Sequence, residues 1–512
     1  MDQPSLDRDE LRAGIDHAAA WVEAYWEKVA SLPVRSRVKP GDVLRALPEH
    51  PPTTGEADWG AIDRDLDAIV LPGLTHWQHP MFFAYFPSNI SPAAIMGDVL
   101  SAGMGVQGML WATSPACTEV EMRVLDWMGE ALGLPQAFLF RGGGGGVIDG
   151  TASEAAVGAL LAAKGRVLRA LPREARREAA TRLVVYASTQ AHSSIQKAAM
   201  VAGIALDADD HDRVRLIETD AVYAMRPDQL AEAMRADLAA GLRPCFVCAS
   251  VGTTGSTAID PVGEIARVMR EVPNDGASPT HQPPPSGREG SVWLHVDAAH
   301  AGAACVCPEF RRLIAGVEHA DSFTFNPHKW LLTNFDCNCL WTQSPRELTD
   351  AMSITPEYLR NAATDAKAVV DYRDWHIPLG RRFRSLKLWL VMRRYGVEGL
   401  RTHVREGVRL AEVFEGLVRG DARFEVVTPR TVNLVCFRLV PRTGELPETT
   451  DARNKTLMES LNDSGAMYLS HTVLPGVGGT PARYVLRMAI GAVQTREAHV
   501  REAWRLIASR AG

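Results

Sequence analysis

Past residue 180 the chain falls into a rhythm that few folds accept. Short apolar runs alternate with helical stretches: Leu183 to Ser188, then a helix opened by Ala191-His192-Ser193-Ser194 with a serine cap; Cys245 to Val251; Val292 to Asp297; and the run holding Phe323 and Phe325. Such alternation implies an α/β fold, a mostly parallel sheet with helices on both faces. In sheets of this kind ligands gather outside the carboxyl ends of the strands. Each run here delivers a chemically able residue to that end. Gly252-Thr253-Thr254-Gly255 follows the second, Asp297 closes the third, and Asn326-Pro327-His328-Lys329 follows the fourth, where Pro327 stops the strand.

A lysine at a strand end is costly to bury as a cation, so its pKa falls toward that of a nucleophilic amine. A Schiff-base lysine needs that property. Upstream, five glycines, Gly142 to Gly146, lead into Gly150-Thr151-Ala152-Ser153-Glu154 and an alanine-rich helix. Thr151 and Glu154 have capping-box spacing. Free N–H groups at a helix start after a glycine-rich turn cradle a phosphate. The pattern is not a P-loop, because no Gly-Lys-Ser/Thr follows, and a flexible linker is the other reading of the glycines. Singly, Asp297 reads as a cap or ion-pair partner and His192 as a core histidine. Their joint order along one α/β chain reads as a holder for pyridoxal phosphate. Ala152 and Ser153 would take the phosphate and Lys329 would join the aldehyde. Asp297 would pair with the ring nitrogen, and His192 would lie flat on the ring.

Composition narrows the rest. The 512 residues are 46% hydrophobic and 23% charged with net charge −6, an ordinary globular balance without a nucleic-acid or anionic-membrane footprint. No apolar run nears the roughly 20 residues that span a bilayer, and Met1 to Arg8 lacks a signal pattern. These features point to the cytoplasm, with no nucleic-acid or membrane partner. The eight cysteines, including the pairs Cys245/Cys248, Cys305/Cys307 and Cys337/Cys339, sit in apolar surroundings and read as small buried hydrophobes, with no metal site.

Three parts are expected. Residues 1–80 form a helical arm, with Trp21, Tyr25, Val29 and Leu32 at helical spacing and a proline-marked extension that packs on another subunit. Residues 81–384 form the cofactor unit. Residues 385–512 form a smaller α+β unit with a helix over about 385–419, strands near 424–428, 434–440 and 484–490, and a helix around 451–464. The stretch 274–290 reads as a disordered surface loop. The irregular 344–380 segment reads as a lid, with a mobile loop near 350–370.

The motifs Asn326-Pro327-His328-Lys329-Trp330, His295-Val296-Asp297-Ala298-Ala299, Ala191-His192-Ser193-Ser194, Gly150-Thr151-Ala152-Ser153-Glu154 and Ile377-Pro378-Leu379-Gly380-Arg381-Arg382-Phe383 resemble the group II pyridoxal-phosphate decarboxylases, nearest the aromatic L-amino acid decarboxylases. Motif order is kept from about residue 5 to 510. The resemblance implies a fold-type I (PLP-dependent transferase-like) architecture and a homodimer with active sites at the interface. It implies that Thr254, Ala299, Asn326 and His328 also attend the cofactor. It implies a substrate pocket of Trp77, Tyr85, Phe86 and Pro87, with Gln107 and Met109 contributed by the partner chain. Tyr358 matches the loop tyrosine that returns a proton to Cα. Relatives lacking it resemble aldehyde synthases, the alternative function. His300 stands where animal relatives carry tyrosine, and Gln107 and Met109 replace an apolar and an aromatic residue. Gly380 leaves room where histidine-specific relatives carry serine. The implied reaction is decarboxylation of an aromatic L-amino acid, tryptophan before dopa, tyrosine or phenylalanine.

Overall fold

The computed structural model describes residues 6–56, 58–272, 290–354, 369–476 and 479–511. All of the expected disordered insert but Gly290, and most of the 350–370 loop, Tyr358 included, lie outside the described residues. Seven strands form the main sheet: β1 (Gly145–Asp149), β2 (Leu183–Ser188), β3 (Val214–Ile217), β4 (Arg243–Ser250), β5 (Trp293–Asp297), β6 (Ser322–Phe325) and β7 (Asn338–Thr342), in the order β1-β7-β6-β5-β4-β2-β3. The strands β3, β2, β4, β5 and β6 are mutually parallel, while β7 runs antiparallel to both β6 and β1. Two reversals cancel, so β1 points the same way as the parallel set. Its last residue, Asp149, therefore ends on the same edge as Ser188, Ser250, Asp297 and Phe325.

Strands β1, β2 and β6 are buried along their whole length, as expected where helices cover both faces. The helix Ala152–Arg169 packs Ala155, Ala159 and Ala163 on one face, and the helix Pro115–Leu132 packs Val124, Leu125 and Met128 on the other. Small side chains let the cradle helix lie close to the sheet.

The glycine run departs from expectation. It is not the cradle turn: Gly145 and Gly146 are strand residues, and the turn is Gly150-Thr151. Gly143, at φ 89°, makes a turn with open space around it, and the other four serve close packing. A Cβ on Gly144 would stand 2.0 Å from the Ala137 carbonyl oxygen, and one on Gly146 would stand 2.6 Å from that of Leu340.

A second, antiparallel sheet holds β8 (Phe424–Val426), β9 (Leu434–Leu439), β10 (Ser470–Leu474) and β11 (Arg483–Ala489), ordered β10-β11-β9-β8. The long helix Ser385–Arg419 has a break at Gly396 (φ 62°, ψ 176°). Met81, Phe82, Phe83 and Ala84 pack in the core of this second sheet, although they fall on the cofactor-unit side of the expected boundary at 80/81. The N-terminal helix Arg8–Lys28 is capped by Asp7 and buries no residue in the single chain. No helix among the described residues is long and apolar enough to cross a membrane.

Candidate active site

After β6 the backbone stays extended at Asn326, and Pro327 opens a single helical turn, Pro327–Trp330. Lys329 rides on that turn. Its amine stands 5.4 Å from the centre of the Phe86 ring. Burial pulls its pKa below the ordinary lysine value, the Asp297 charge opposes that shift, and the nearby Arg487 charge adds to it. Asp297 is paired in register with Ser250 on one side and Thr324 on the other, and its Oδ1 accepts the Ala299 N–H at 3.0 Å. His192 follows β2. Its Nδ1 accepts the Ser194 N–H at 3.1 Å, which leaves the ring proton on Nε2. Burial lowers its pKa, opposed by Asp297. The helix after His192 is thus capped by the imidazole, whereas the expected Ser193 side chain makes no cap bond. His192 and Thr254 line one cleft of about 690 Å³ with Tyr85, Ser470 and Arg487.

An anion site borders this group. The N–H groups of Ala152 and Ser153 open the cradle helix and have no intrahelical acceptor by position. The expected capping box forms only in part. Thr151 makes no side-chain cap, and Glu154 reaches past it to accept the Gly150 N–H at 3.0 Å. Asn326 is buried, and its Oδ1 accepts from Asn338 Nδ2 at 2.6 Å, which leaves the Asn326 amide N–H₂ free to donate. His328 Nδ1 accepts the Cys337 N–H at 2.9 Å, and burial pushes its pKa down to about 3, so it is a neutral Nε2–H donor. Backbone donors and an amide at one end, a carboxylate at a strand end and a depressed lysine fit a phosphorylated, aldehyde-bearing ring.

The aromatic residues cluster beside the lysine turn. Phe86 is stacked on His300 (centroids 3.8 Å apart), and His300 on Trp330 at 5.3 Å. Trp77 stacks on Tyr85 at 5.6 Å, and Pro87 is buried next to Phe86. His300 donates through Nε2 to Asn433 Oδ1 at 2.7 Å, and burial pushes its pKa down to about 3. Gln107, Met109 and Gly380 form another group. Gln107 Oε1 accepts the Arg381 N–H at 3.2 Å, the Met109 carbonyl accepts the Arg373 N–H at 3.0 Å, and Gly380 lies open beside Gln107. Gln107 and Gly380 face outward in the single chain.

One residue of the site escaped the sequence reading. Arg487, on β11, is 3% exposed, and its guanidinium carbon stands 5.2 Å from the Phe86 ring. It donates to the Gly255 carbonyl at 3.1 Å and to Ser470 Oγ at 2.7 Å, and among the described residues it has no carboxylate partner. Burial lowers its pKa. The available signal was a lone arginine within the apolar run Val485-Leu486-Arg487-Met488-Ala489.

Residues 40–440 match the sequence model of the pyridoxal-dependent decarboxylase conserved domain. The chain is 47% identical to a phenylacetaldehyde synthase of Arabidopsis thaliana, covering 98% of this chain and 96% of that one. It is 45% identical to tryptophan decarboxylase 2 of Oryza sativa subsp. japonica, covering 98% and 94%. A crystal structure of Oryza sativa TDC with PLP and tryptamine superposes with a TM-score of 0.90 at 44% identity, covering 100% of this chain and 99% of that one.

Proposed function

The chain belongs to the pyridoxal-dependent decarboxylases, and from that premise we propose that it converts an aromatic L-amino acid to the arylalkylamine and CO₂. The observation that carries this reading is the meeting of Lys329, Asp297 and His192 at one sheet edge, beside an aromatic wall and the unpaired cation of Arg487. When bound, pyridoxal phosphate supplies an aldehyde for covalent linkage and a ring that accepts the electrons of the breaking carbon–carbon bond. Ala152, Ser153 and Asn326 would hold its phosphate, with Thr254, Ala299 and His328 alongside. Asp297 would keep its ring nitrogen protonated, and His192 would lie against the ring.

The chain's own residues do the rest. Burial and the Arg487 charge lower the Lys329 pKa and so favour its neutral, nucleophilic amine. Arg487 is the cation available to a substrate carboxylate. Fixing that carboxylate orients the bond that breaks, at the cost of stabilising the ground state. Phe86, Trp77, Tyr85 and Pro87 face the aromatic side chain and exclude water. Tyr358, at the position of the loop tyrosine, returns the proton to Cα as general acid.

Similarity to enzymes named for tryptophan and for tyrosine supports an aromatic substrate. The open space at Gly380, where an added Cβ would meet only Gln107 Oε1 at 3.7 Å, supports the large indole of tryptophan over dopa, tyrosine and phenylalanine. A homodimer is supported by Met96, Val99, Leu100 and Met104, all at least 42% exposed on the helix Pro92–Met104. The N-terminal helix with no buried face supports it too, and so do the outward Gln107 and the neighbouring Met109, which would complete the partner's pocket.

The 47% identity to a phenylacetaldehyde synthase favours a second reading, in which oxygen is consumed and aldehyde, ammonia, peroxide and CO₂ are released. Tyr358 and His192 support the amine instead. One panel decides: each aromatic amino acid in turn, with amine, aldehyde, oxygen uptake and CO₂ measured together. Amine equal to CO₂ without oxygen uptake supports the proposal, and aldehyde equal to oxygen consumed replaces it. Borohydride reduction followed by peptide mapping should tag Lys329; a tag elsewhere defeats both readings.

A further inference from the structure

Beside the anion cradle three side chains converge that the reaction does not use. Asp149 ends β1, Glu154 lies in the first turn of the helix Ala152–Arg169, and His376 precedes Ile377-Pro378-Leu379-Gly380. One donor atom from each lies within 4.8 Å of the others. Asp149 is 3% exposed and His376 4%, and among the described residues neither Asp149 Oδ1 nor His376 Nε2 has a hydrogen-bond partner. Glu154 spends one oxygen on the Gly150 N–H at 3.0 Å. Its other oxygen is 3.9 Å from His376 Nδ1, too long for a hydrogen bond. Glu154 and His376 make only a long ion pair, and it leaves Asp149 Oδ1 and His376 Nε2 without a partner among the described residues, a costly arrangement for buried polar atoms.

Nearby cations do not resolve it. Arg381 is committed to Glu121 in a forked pair, and Arg384 to Asp336 at 3.0 Å. The Asp149 carboxyl thus lies among the carboxylates of Glu154 and Glu121, near two guanidiniums that are already paired. We propose that Asp149, Glu154 and His376 bind one divalent transition-metal cation of the zinc class. Two carboxylate oxygens and one imidazole nitrogen select a first-row metal over magnesium or calcium, with water completing the shell. The partly exposed Glu154 is the route of entry. The ion ties the end of β1, the cradle helix and the segment that follows residue 368, so it braces the phosphate end of the site without touching the reacting atoms.

The test uses the purified holoenzyme, dialysed free of metal and titrated with Zn²⁺ against a chromophoric chelator. One equivalent per chain is expected, with only nitrogen and oxygen neighbours in the zinc X-ray absorption spectrum. Asp149→Asn and His376→Gln should each weaken binding at least about tenfold. Circular dichroism confirms that the variants fold; if Asp149→Asn does not, His376→Gln and Glu154→Gln decide. Less than one equivalent, sulfur in the zinc shell, or unchanged affinity in the folded variants overturns the proposal.

Discussion

Replacing Arg381 with methionine should destabilise the protein more than replacing Arg381 and Glu121 together. The two side chains are each 1% exposed, and the guanidinium forks the carboxylate, with Nη2 to Oε1 at 2.6 Å. The pair does a second job. β1 is an edge strand, and its Ile148 N–H donates to Glu121 Oε1 at 2.8 Å while its carbonyl accepts from Arg381 Nη2 at 2.7 Å. The ion pair therefore stands in for the missing neighbour strand. Arg381→Met leaves the Glu121 carboxylate buried without its counter-ion, which costs about 3–5 kcal/mol. Loss of the stack on Tyr372, 4.5 Å away, adds up to about 2 kcal/mol. In Glu121→Leu/Arg381→Met no charge is stranded. What remains is the unpaired Ile148 N–H and carbonyl, about 1–3 kcal/mol each at most, less what entering water recovers. The double variant should therefore regain roughly 2 kcal/mol over the single one. Urea denaturation of the holoenzyme, followed by circular dichroism, measures both. A double variant no more stable than Arg381→Met, or a single variant costing under about 1 kcal/mol, refutes the edge-capping argument.

Arg487→Ala should raise KM for the amino acid by roughly tenfold to a hundredfold, the loss of a charge-assisted contact. It should leave inhibition by the arylalkylamine product, which has no carboxylate, unchanged; equal loss of both would move Arg487 out of the carboxylate site. Gly380→Ser should change stability by no more than about 0.5 kcal/mol, because the new Cβ finds only Gln107 Oε1 at 3.7 Å, while kcat/KM shifts from the indole toward smaller rings in paired-substrate competition. Tyr358→Phe should divert product from amine to aldehyde with matching oxygen uptake. Burial pushes His79, His295 and His403 down to about 4 and His300 and His328 down to about 3, so the folded chain keeps them neutral while the unfolded chain protonates near 6.5. Their contribution is thus fully present above about pH 6.5 and is lost as pH falls toward 4, by about 1.4 kcal/mol per pH unit for each group. Denaturation midpoints that stay flat from pH 7 to 5 would contradict it.

The parallel sheet was legible because its strands are buried on both faces and read as continuous apolar runs, and because each ends in a residue too polar for the core. Lys329, Asp297 and His192 were legible for the same reason. Local geometry was not. Thr151 and Glu154 have the spacing of a capping box, yet Glu154 bonds the N–H of Gly150, one residue before the cap. The glycine run read as a turn because glycine's conformational freedom is the commoner reason for its use, whereas here, Gly143 aside, the reason is steric. β10 went unread: its alternating Ser470-His471-Thr472-Val473-Leu474 has too few apolar residues to stand out, and pairing with β11 makes it a strand. Arg487 belongs to the site only through a contact between sheets, some 190 residues along the chain from Asp297 at the end of β5, and no local pattern carries that.

The position of that arginine is itself held by the segment that carries the aromatic wall. Phe83 donates its N–H to the Tyr468 carbonyl at 2.9 Å and accepts from Ala489 at 3.0 Å, and the Tyr85 N–H bonds Ser470 Oγ at 2.9 Å, so residues 83–85 bridge the segment that leads into β10 and the end of β11. Four residues on, the buried Asn89 turns back. Its N–H bonds the His328 carbonyl at 3.0 Å, its Oδ1 accepts the Leu332 N–H at 3.2 Å, and its Nδ2 donates to the Gly491 carbonyl at 2.9 Å. One asparagine thus clamps the two ends of the lysine turn to the strand end just past Arg487. Phe86 sits between the clamps, with the Lys329 amine and the Arg487 guanidinium each within 5.4 Å of its ring. The backbone segments that carry Lys329 and Arg487 are thus fixed relative to one another. With its carboxylate at Arg487, an α-amino acid would present its amino group to the aldehyde joined at Lys329, and the Asn89 bonds keep the backbone at those two anchor points at a fixed offset.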